Sequence, residues 1–272
     1  MGETLVFDMP HSLRFTEARQ FFLRQVLPDL IKQLALKSAL DVGCGVGYFS
    51  AFLRDMGFRV VALDGRRENI EEAQKRFPDI EFYHLNIEEP SVQRLGSFDL
   101  VLCFGLLYHL ENPFAAMRNL HALTNKLLLI ESMCVPANEP ILYLRDEGQS
   151  QDQSLNFVAF YPSESCLSKM CYRAGFPFVY RFNQLPLHED FKTTLLRKRA
   201  RTMLAASKVP LNSSFLIPVP EPHSIADPWA KPLASIARPF LRFSEFIRKP
   251  WPEKLTALRR RLGLSKTGRS NL

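Results

Sequence analysis

The segment Ala39-Leu40-Asp41-Val42-Gly43-Cys44-Gly45-Val46-Gly47-Tyr48-Phe49 places one carboxylate and three glycines between an apolar run and a helical pattern. Glycines at such a junction let the backbone turn sharply and approach a ligand closely. A ligand held there lies at the carboxyl ends of the strands of an open α/β sheet. Spacing alone leaves two ligand chemistries open. A dinucleotide fingerprint GxGxxG/A counted from Gly43 ends on bulky Tyr48, but counted from Gly45 it ends on Ser50, which is small enough. Asp41 helps to separate them. A carboxylate ending a buried strand is costly unless a cation or strong donors meet it. A ligand ammonium group would serve, whereas a pyrophosphate in the same loop would be repelled.

Further along, Tyr108, His109 and Glu131 follow or end apolar runs, where an α/β sheet places its reacting groups. Imidazole suits proton transfer near neutral pH, so His109 is the candidate base; the alternative is a hydrogen bond to loop backbone. Tyr108 either flanks the reacting centre or packs. Glu131 has no obvious second carboxylate or histidine partner, so no metal is expected. His11, His84, His121, His188 and His223 have no motif context.

These groups need a scaffold, and the pattern supplies one. Leu23, Leu27, Leu30, Ile31 and Leu34 recur at helical spacing within residues 16–36, with Pro28 starting a second short helix or kinking the first. Short apolar runs then alternate with helical segments. Strands are expected at 38–42, 58–63, 80–85, 98–104 and 126–131, and helices at 48–56, 66–77 and 112–123, the last with Asn112-Pro113 as its start signal. Near-continuous apolar strands separated by helices imply a parallel sheet covered on both faces. Residues 133–162 are polar and irregular and read as an insertion on the acceptor side. Ser163 caps a further helix ending at Gly175, and 176–182 and 191–196 complete a seven-stranded, mostly parallel, doubly wound sheet.

Composition limits the class. Of 272 residues, 46% are hydrophobic and 23% charged, as in ordinary globular proteins. No run of about 18 apolar residues exists. Met1 to Pro10 carries Glu3 and Asp8 and no basic stretch, so no signal peptide is expected. Cys44, Cys103, Cys134, Cys166 and Cys171 are odd in number and form no CxxC pair, which suits free thiols in a reducing cytoplasm. The net charge of +7 is uneven. From Lys192 onward there are 17 Lys and Arg against 4 Asp and Glu, while the first 191 residues carry a net −6.

The glycine segment resembles the first motif of class I S-adenosylmethionine (SAM)-dependent methyltransferases, of the type 11/12-like kind, and the likeness extends over roughly residues 36–185. It implies a Rossmann-like fold and SAM as cofactor, held by Asp41, Gly43, Cys44, Gly45, Gly47 and Phe104. Asp64 lies 17 residues after Gly47, where the family has an acidic residue for the ribose hydroxyls. Asn86 and Ile87 stand where the family places an aspartate and an apolar neighbour around the adenine; Asn86 as a cap of the next helix is the alternative. Phe98-Asp99-Leu100-Val101 matches the fourth-strand motif, with Asp99 structural.

A narrower resemblance lies in Phe104-Gly105-Leu106-Leu107-Tyr108-His109-Leu110-Glu111-Asn112-Pro113 and continues from Pro162-Ser163 to Ala174-Gly175-Phe176. It is similar to the tRNA wobble-uridine carboxymethyltransferases and their small-molecule relatives. That tRNA family uses carboxy-SAM and has an additional N-terminal region, whereas the sheet here begins by residue 38.

The expected organisation is an N-terminal helical segment (1–36), a methyltransferase domain (37–206) and a proline-rich linker with a basic amphipathic tail (207–272). The expected activity is methyl transfer from SAM to an oxygen or nitrogen of a small-molecule or glycan-type acceptor. Its rivals are tRNA modification and a catalytically inactive SAM-binding scaffold. In residues 233–264, Phe240, Phe243, Ile247 and Trp251 interleave with Arg238, Arg242 and Arg248. That pattern fits contact with an anionic membrane surface or RNA, or a solvated extension. The expected location is cytoplasmic, with peripheral contact at the inner membrane face.

Overall fold

Leu40, Leu100, Val101, Leu102 and residues 127–130 have no accessible surface, so their strands must be covered on both faces. The computed structural model, which describes residues 5–147, 153–155, 157–195 and 198–223, builds this arrangement. In chain order it contains α1 (Pro10–Leu34), β1 (Ser38–Val42), α2 (Tyr48–Asp55), β2 (Arg59–Asp64), α3 (Arg67–Arg76), β3 (Glu81–His84), β4 (Phe98–Phe104), α4 (Pro113–Leu123) and β5 (Thr124–Met133). Then follow β6 (Leu142–Asp146), β7 (Val158–Pro162), α5 (Glu164–Ala174), β8 (Phe178–Phe182), β9 (Arg201–Ser207) and β10 (Leu216–Pro218).

The main sheet runs β10-β8-β9-β5-β4-β1-β2-β3. The strands from β3 to β5 are parallel; β9 is antiparallel to both β5 and β8, and β10 is antiparallel to β8. Two cores follow from the strand alternation. Leu100 and Leu102 face α1 and α2 through Leu23, Leu27 and Leu53, while Val101 and Cys103 face α4 and α5 through Met117, Leu120 and Leu167. β1 has β2 on one side and β4 on the other, so the chain leaves it in both directions. A crevice opens at the carboxyl ends of strands at such a reversal.

Local signals account for the boundaries near the crevice. Asn112 Oδ1 accepts from Ala115 N–H at 3.1 Å to start α4, and Ser163 Oγ accepts from Cys166 N–H at 3.1 Å to start α5. Asp99 accepts from Lys37 and Ser38 N–H and ties the start of β4 to the start of β1.

Four expectations change. Pro28 starts no second helix but lies inside the continuous α1, close in sequence to buried Leu23, Val26, Leu27 and Leu30. The last central strand is 201–207, not 191–196. Phe191 sits in a short 3₁₀ turn, and the aromatic and threonine content of 191–194 resembled a strand more than Met-Leu-Ala-Ala did. The 133–162 insertion contains an antiparallel hairpin, β6–β7. Within the proline-rich stretch, Leu216–Pro218 adds an eighth strand at the sheet edge, a place that tolerates proline. The amphipathic run 233–264 lies outside the described residues. Among the described residues, no helix is long and apolar enough to cross a membrane.

Candidate functional site

After β1 the chain bends through Gly43 (φ +73°) and Gly45 (φ +53°). The N–H groups of Gly43 and Cys44 both donate to Leu63 O, which fastens the bend to the end of β2. Gly45 N–H donates to Asp64 Oδ2 at 2.9 Å, and Asp64 Oδ1 accepts from Arg66 N–H and Asn69 Nδ2. Asp64 is thus buried but supplied with three donors; burial pushes its carboxyl up and the donors oppose that. A Cβ on Gly45 would lie 2.7 Å from the Phe7 ring, so only glycine fits both the backbone and the space. Phe7 belongs to a 3₁₀ turn, Val6–Asp8, held by Asp8 through Tyr48 Oη and the Arg76 guanidinium. No pattern in the sequence pointed to this N-terminal cover.

A cavity of about 1180 Å³ opens beside this bend. Its walls include Gly43, Gly45, Asp64, Asn86, Ile87 and Phe104, together with Tyr108, His109, Arg19, Arg201, Glu147 and Tyr161. Three expected cofactor residues are not in those walls. Asp41 is fully buried and accepts from Ser50 Oγ at 2.6 Å. Cys44 is a buried thiol whose pKa is pushed well up, first by burial. Gly47 caps α2 and backs onto Phe77 and Phe82. Asn86 lines the cavity; it does not cap the next helical turn, Pro90–Leu95, whose N-cap is Glu89, and its Oδ1 instead accepts from Glu88 N–H in a local turn.

Burial pushes the Asp41 carboxyl up to about 7 from its ordinary 3.8, against the Ser50 hydroxyl bond. Between about pH 4 and pH 7 the folded chain then binds a proton that the unfolded chain has released. Stability therefore falls as pH rises through that window, by up to about 1.4 kcal/mol per pH unit. Asp41→Asn is expected to flatten this limb in urea titrations run across the window; an unchanged slope would show that Asp41 does not carry it.

The second group of wall residues is polar and tightly tied. Tyr108 and His109 lie in a 3₁₀ turn, Leu107–His109, after β4. His109 Nδ1 meets the Glu147 carboxylate at 2.7–2.8 Å, with each side chain 11% exposed. Glu147 follows β6, and its N–H donates to Phe157 O across the hairpin. Glu131, with no exposed surface, accepts from Arg19 at 3.0 Å and from Arg201 at 2.9 Å. Arg201 also donates to Tyr108 Oη at 3.1 Å. Burial pushes the Tyr108 phenol up, so it stays protonated. Both guanidiniums lie against the Phe15 ring, 3.9 and 4.5 Å from its centre.

Arg19, Arg201 and Glu147 were not anticipated. Arg19 did leave a trace: Phe15, Arg19, Phe22 and Val26 share a helical stripe in which a cation is out of place unless paired. Glu131, ending an apolar strand, needed such a partner. Nothing local marked Arg201 or Glu147. Among the described residues, no three His, Cys, Asp or Glu side chains are grouped to hold a metal ion.

A family model described as a methyltransferase domain matches residues 14–180. A tRNA U34 carboxymethyltransferase from Campylobacter jejuni is 27% identical over 172 residues, covering 59% of this chain and 56% of that protein. A ubiquinone biosynthesis O-methyltransferase from Rickettsia typhi is 36% identical over 100 residues, covering 35% of this chain and 40% of that protein. The chain thus spans about half the length of these curated relatives. Among solved structures, the N-terminal domain of EvdMO1 with SAH bound aligns with a TM-score of 0.58 at 18% identity, over 76% of this chain and 90% of that one. A putative S-adenosylmethionine-dependent methyltransferase from Listeria monocytogenes aligns with a TM-score of 0.52 at 15% identity, over 71% and 99%. At these identities the likeness is one of fold.

Proposed function

This chain belongs to the methyltransferase-domain family, and from that premise we propose that it transfers a methyl group from SAM to an oxygen or nitrogen of a small-molecule or glycan-type acceptor. One observation carries the proposal: a single cavity joins the Gly43–Gly45 bend and Asp64 to the Tyr108–His109 turn. The residues present suit the cofactor. Gly43 and Gly45 bring bare backbone to the cavity wall, packed against Leu106 and Phe7, Asp64 offers a carboxylate for ribose hydroxyls, and Leu85, Asn86 and Ile87 offer a mixed apolar and amide wall for a purine. Asp41 supports the bend from below through Ser50.

SAM, when bound, supplies a methyl carbon activated by sulfonium, with a neutral thioether as leaving group. The chain's part is orientation and proton handling. Glu147 holds Nδ1 of His109, which fixes the ring and leaves Nε2 as the nitrogen that takes the acceptor proton. The Tyr108 ring lies against His109, centroids 4.1 Å apart, and orients it from the other side.

Calorimetry on the full chain tests the first half of this reading: SAM and SAH are expected to bind at one site, and uptake of a nicotinamide dinucleotide in their place would overturn it. Asp64→Ala is expected to weaken SAH binding by about ten- to a hundred-fold, since hydrogen bonds to a charged group contribute about 1.5–3 kcal/mol. Binding within two-fold of wild type would remove Asp64 from the site. A second reading, methyl or carboxymethyl transfer to tRNA, is favoured by the C. jejuni relative and by the basic stretch from Lys192 onward. Incorporation of label from SAM or carboxy-SAM into tRNA, but not into small acceptors, would select it.

A further inference from the structure

We propose that the turn Val6–Asp8 gates the donor site: Phe7 closes the cavity over the glycine bend, and a clasp on Asp8 sets how fast SAM enters and SAH leaves. This rests on the methyltransferase reading above. The turn lies outside residues 14–180, the span matched by the family model, so the family likeness assigns it no role. Its placement does. Val6, Phe7 and Met9 line the same cavity as Gly43, Gly45 and Asp64. The Phe7 ring packs directly on Gly45, whose N–H donates to Asp64 Oδ2. An aromatic ring on that backbone shields the bend from water without competing for its hydrogen bonds.

The turn depends on the clasp for its position. Its own hold is one short-range bond, Asp8 N–H to Leu5 O at 2.9 Å, and no side chain caps either the turn or the start of α1. A single 3₁₀ turn has poor hydrogen-bond geometry and holds itself weakly. Asp8 supplies what is missing. Its Oδ1 accepts from Tyr48 Oη at 2.5 Å and from Arg76 Nη1 at 2.9 Å, and its Oδ2 accepts from Arg76 Nη2 at 2.7 Å. This is a two-pronged arginine–carboxylate pair, the strong form of such contacts. Glu72 meets Arg76 Nε at 2.8 Å and fixes the guanidinium on its helix. Tyr48 is the first residue of α2, which follows the bend, and Arg76 is the last of α3, which follows Asp64. The clasp thus ties the turn to both helices that flank the donor's contacts. The Asp8 and Arg76 side chains are 27% and 22% exposed, so water reaches the clasp and it can open while the core stays folded.

A gate has a kinetic signature that a simple contact lacks. It slows passage in both directions, so loosening it raises the association and dissociation rates together and moves the equilibrium constant less than either rate. Stopped-flow binding and displacement of SAH on the full chain read both rates. Asp8→Asn keeps the side-chain size and removes the charge; it is expected to raise both rates by about ten-fold, with Kd within about three-fold of wild type. Tyr48→Phe removes one bond and leaves the arginine pair, so it is expected to give a smaller rise in both, and it serves where Asp8→Asn does not fold. In a Phe7→Ala background, Asp8→Asn is expected to add no further acceleration, because the ring that the clasp holds is gone. Unchanged rates in folded Asp8→Asn would overturn the gate. So would a rise in dissociation alone, which would make Asp8 a plain support of the bound donor, and so would independent, additive effects of Phe7→Ala and Asp8→Asn. Absence of SAH uptake by the wild-type chain would instead sink the methyltransferase reading, and the gate with it.

Discussion

Glu131→Ala is expected to lower the free energy of unfolding by about 3–5 kcal/mol, a large share of a domain's whole stability. The carboxylate has no accessible surface and is the shared partner of Arg19 and Arg201. Removing it leaves two guanidiniums beside Phe15 with no counter-charge for Arg19 and only Asp190, 3.6 Å from Nε, facing Arg201. The loss comes from stranded charge rather than from the pair itself: replacing Arg19, Glu131 and Arg201 together with apolar side chains of similar volume is expected to be far milder. Urea denaturation read by circular dichroism decides the matter. A loss below about 1 kcal/mol for Glu131→Ala would mean that water reaches the site and neutralises the argument from burial.

His109→Ala is expected to reduce kcat by about 10²- to 10⁴-fold for a hydroxyl acceptor, with SAH affinity unchanged. The direction of the split matters more than its size. A side chain that only supports the loop would move binding and stability along with turnover. One that takes the acceptor proton moves turnover alone. Glu147→Gln keeps the shape and a hydrogen bond but removes the carboxylate that holds Nδ1, so it is expected to produce a smaller loss in the same parameter. Single-turnover assays with preloaded SAM would read both variants. Full turnover in His109→Ala would remove the base from the mechanism.

Much of the fold was legible because its centre is written in short-range pattern. The runs at 38–42, 98–104 and 126–130 are apolar on both faces and leave no choice but the middle of a parallel sheet. Asn112-Pro113 and Ser163 announce their helices through side chains acting within three residues. What stayed hidden depends on distance along the chain. Arg201 meets Tyr108 from 93 positions away along the chain, and Arg19 meets Glu131 from 112 positions away. No local rule ties such residues together; the only hint was a lone cation in the apolar stripe of α1. Strand β9 was misplaced for a related reason. Its Met-Leu-Ala-Ala core has weak intrinsic preference and is made a strand by pairing with β5 and β8 on either side. Asp41 shows the limit of charge reasoning: a buried carboxylate needs a partner, and Ser50, nine residues on, supplies one from within the fold.

Because β9 runs against β5, its first residue arrives at the rim where its parallel neighbours finish. Asp190 and Arg201 therefore furnish one part of the cavity wall, while Gly43, Gly45 and Asp64 furnish another, and no strand is common to both. The two halves can change independently. Exchange of the stretch between α5 and β9 among relatives offers a route to new acceptor preferences that leaves donor recognition intact, which gives directed evolution a bounded region in which to work.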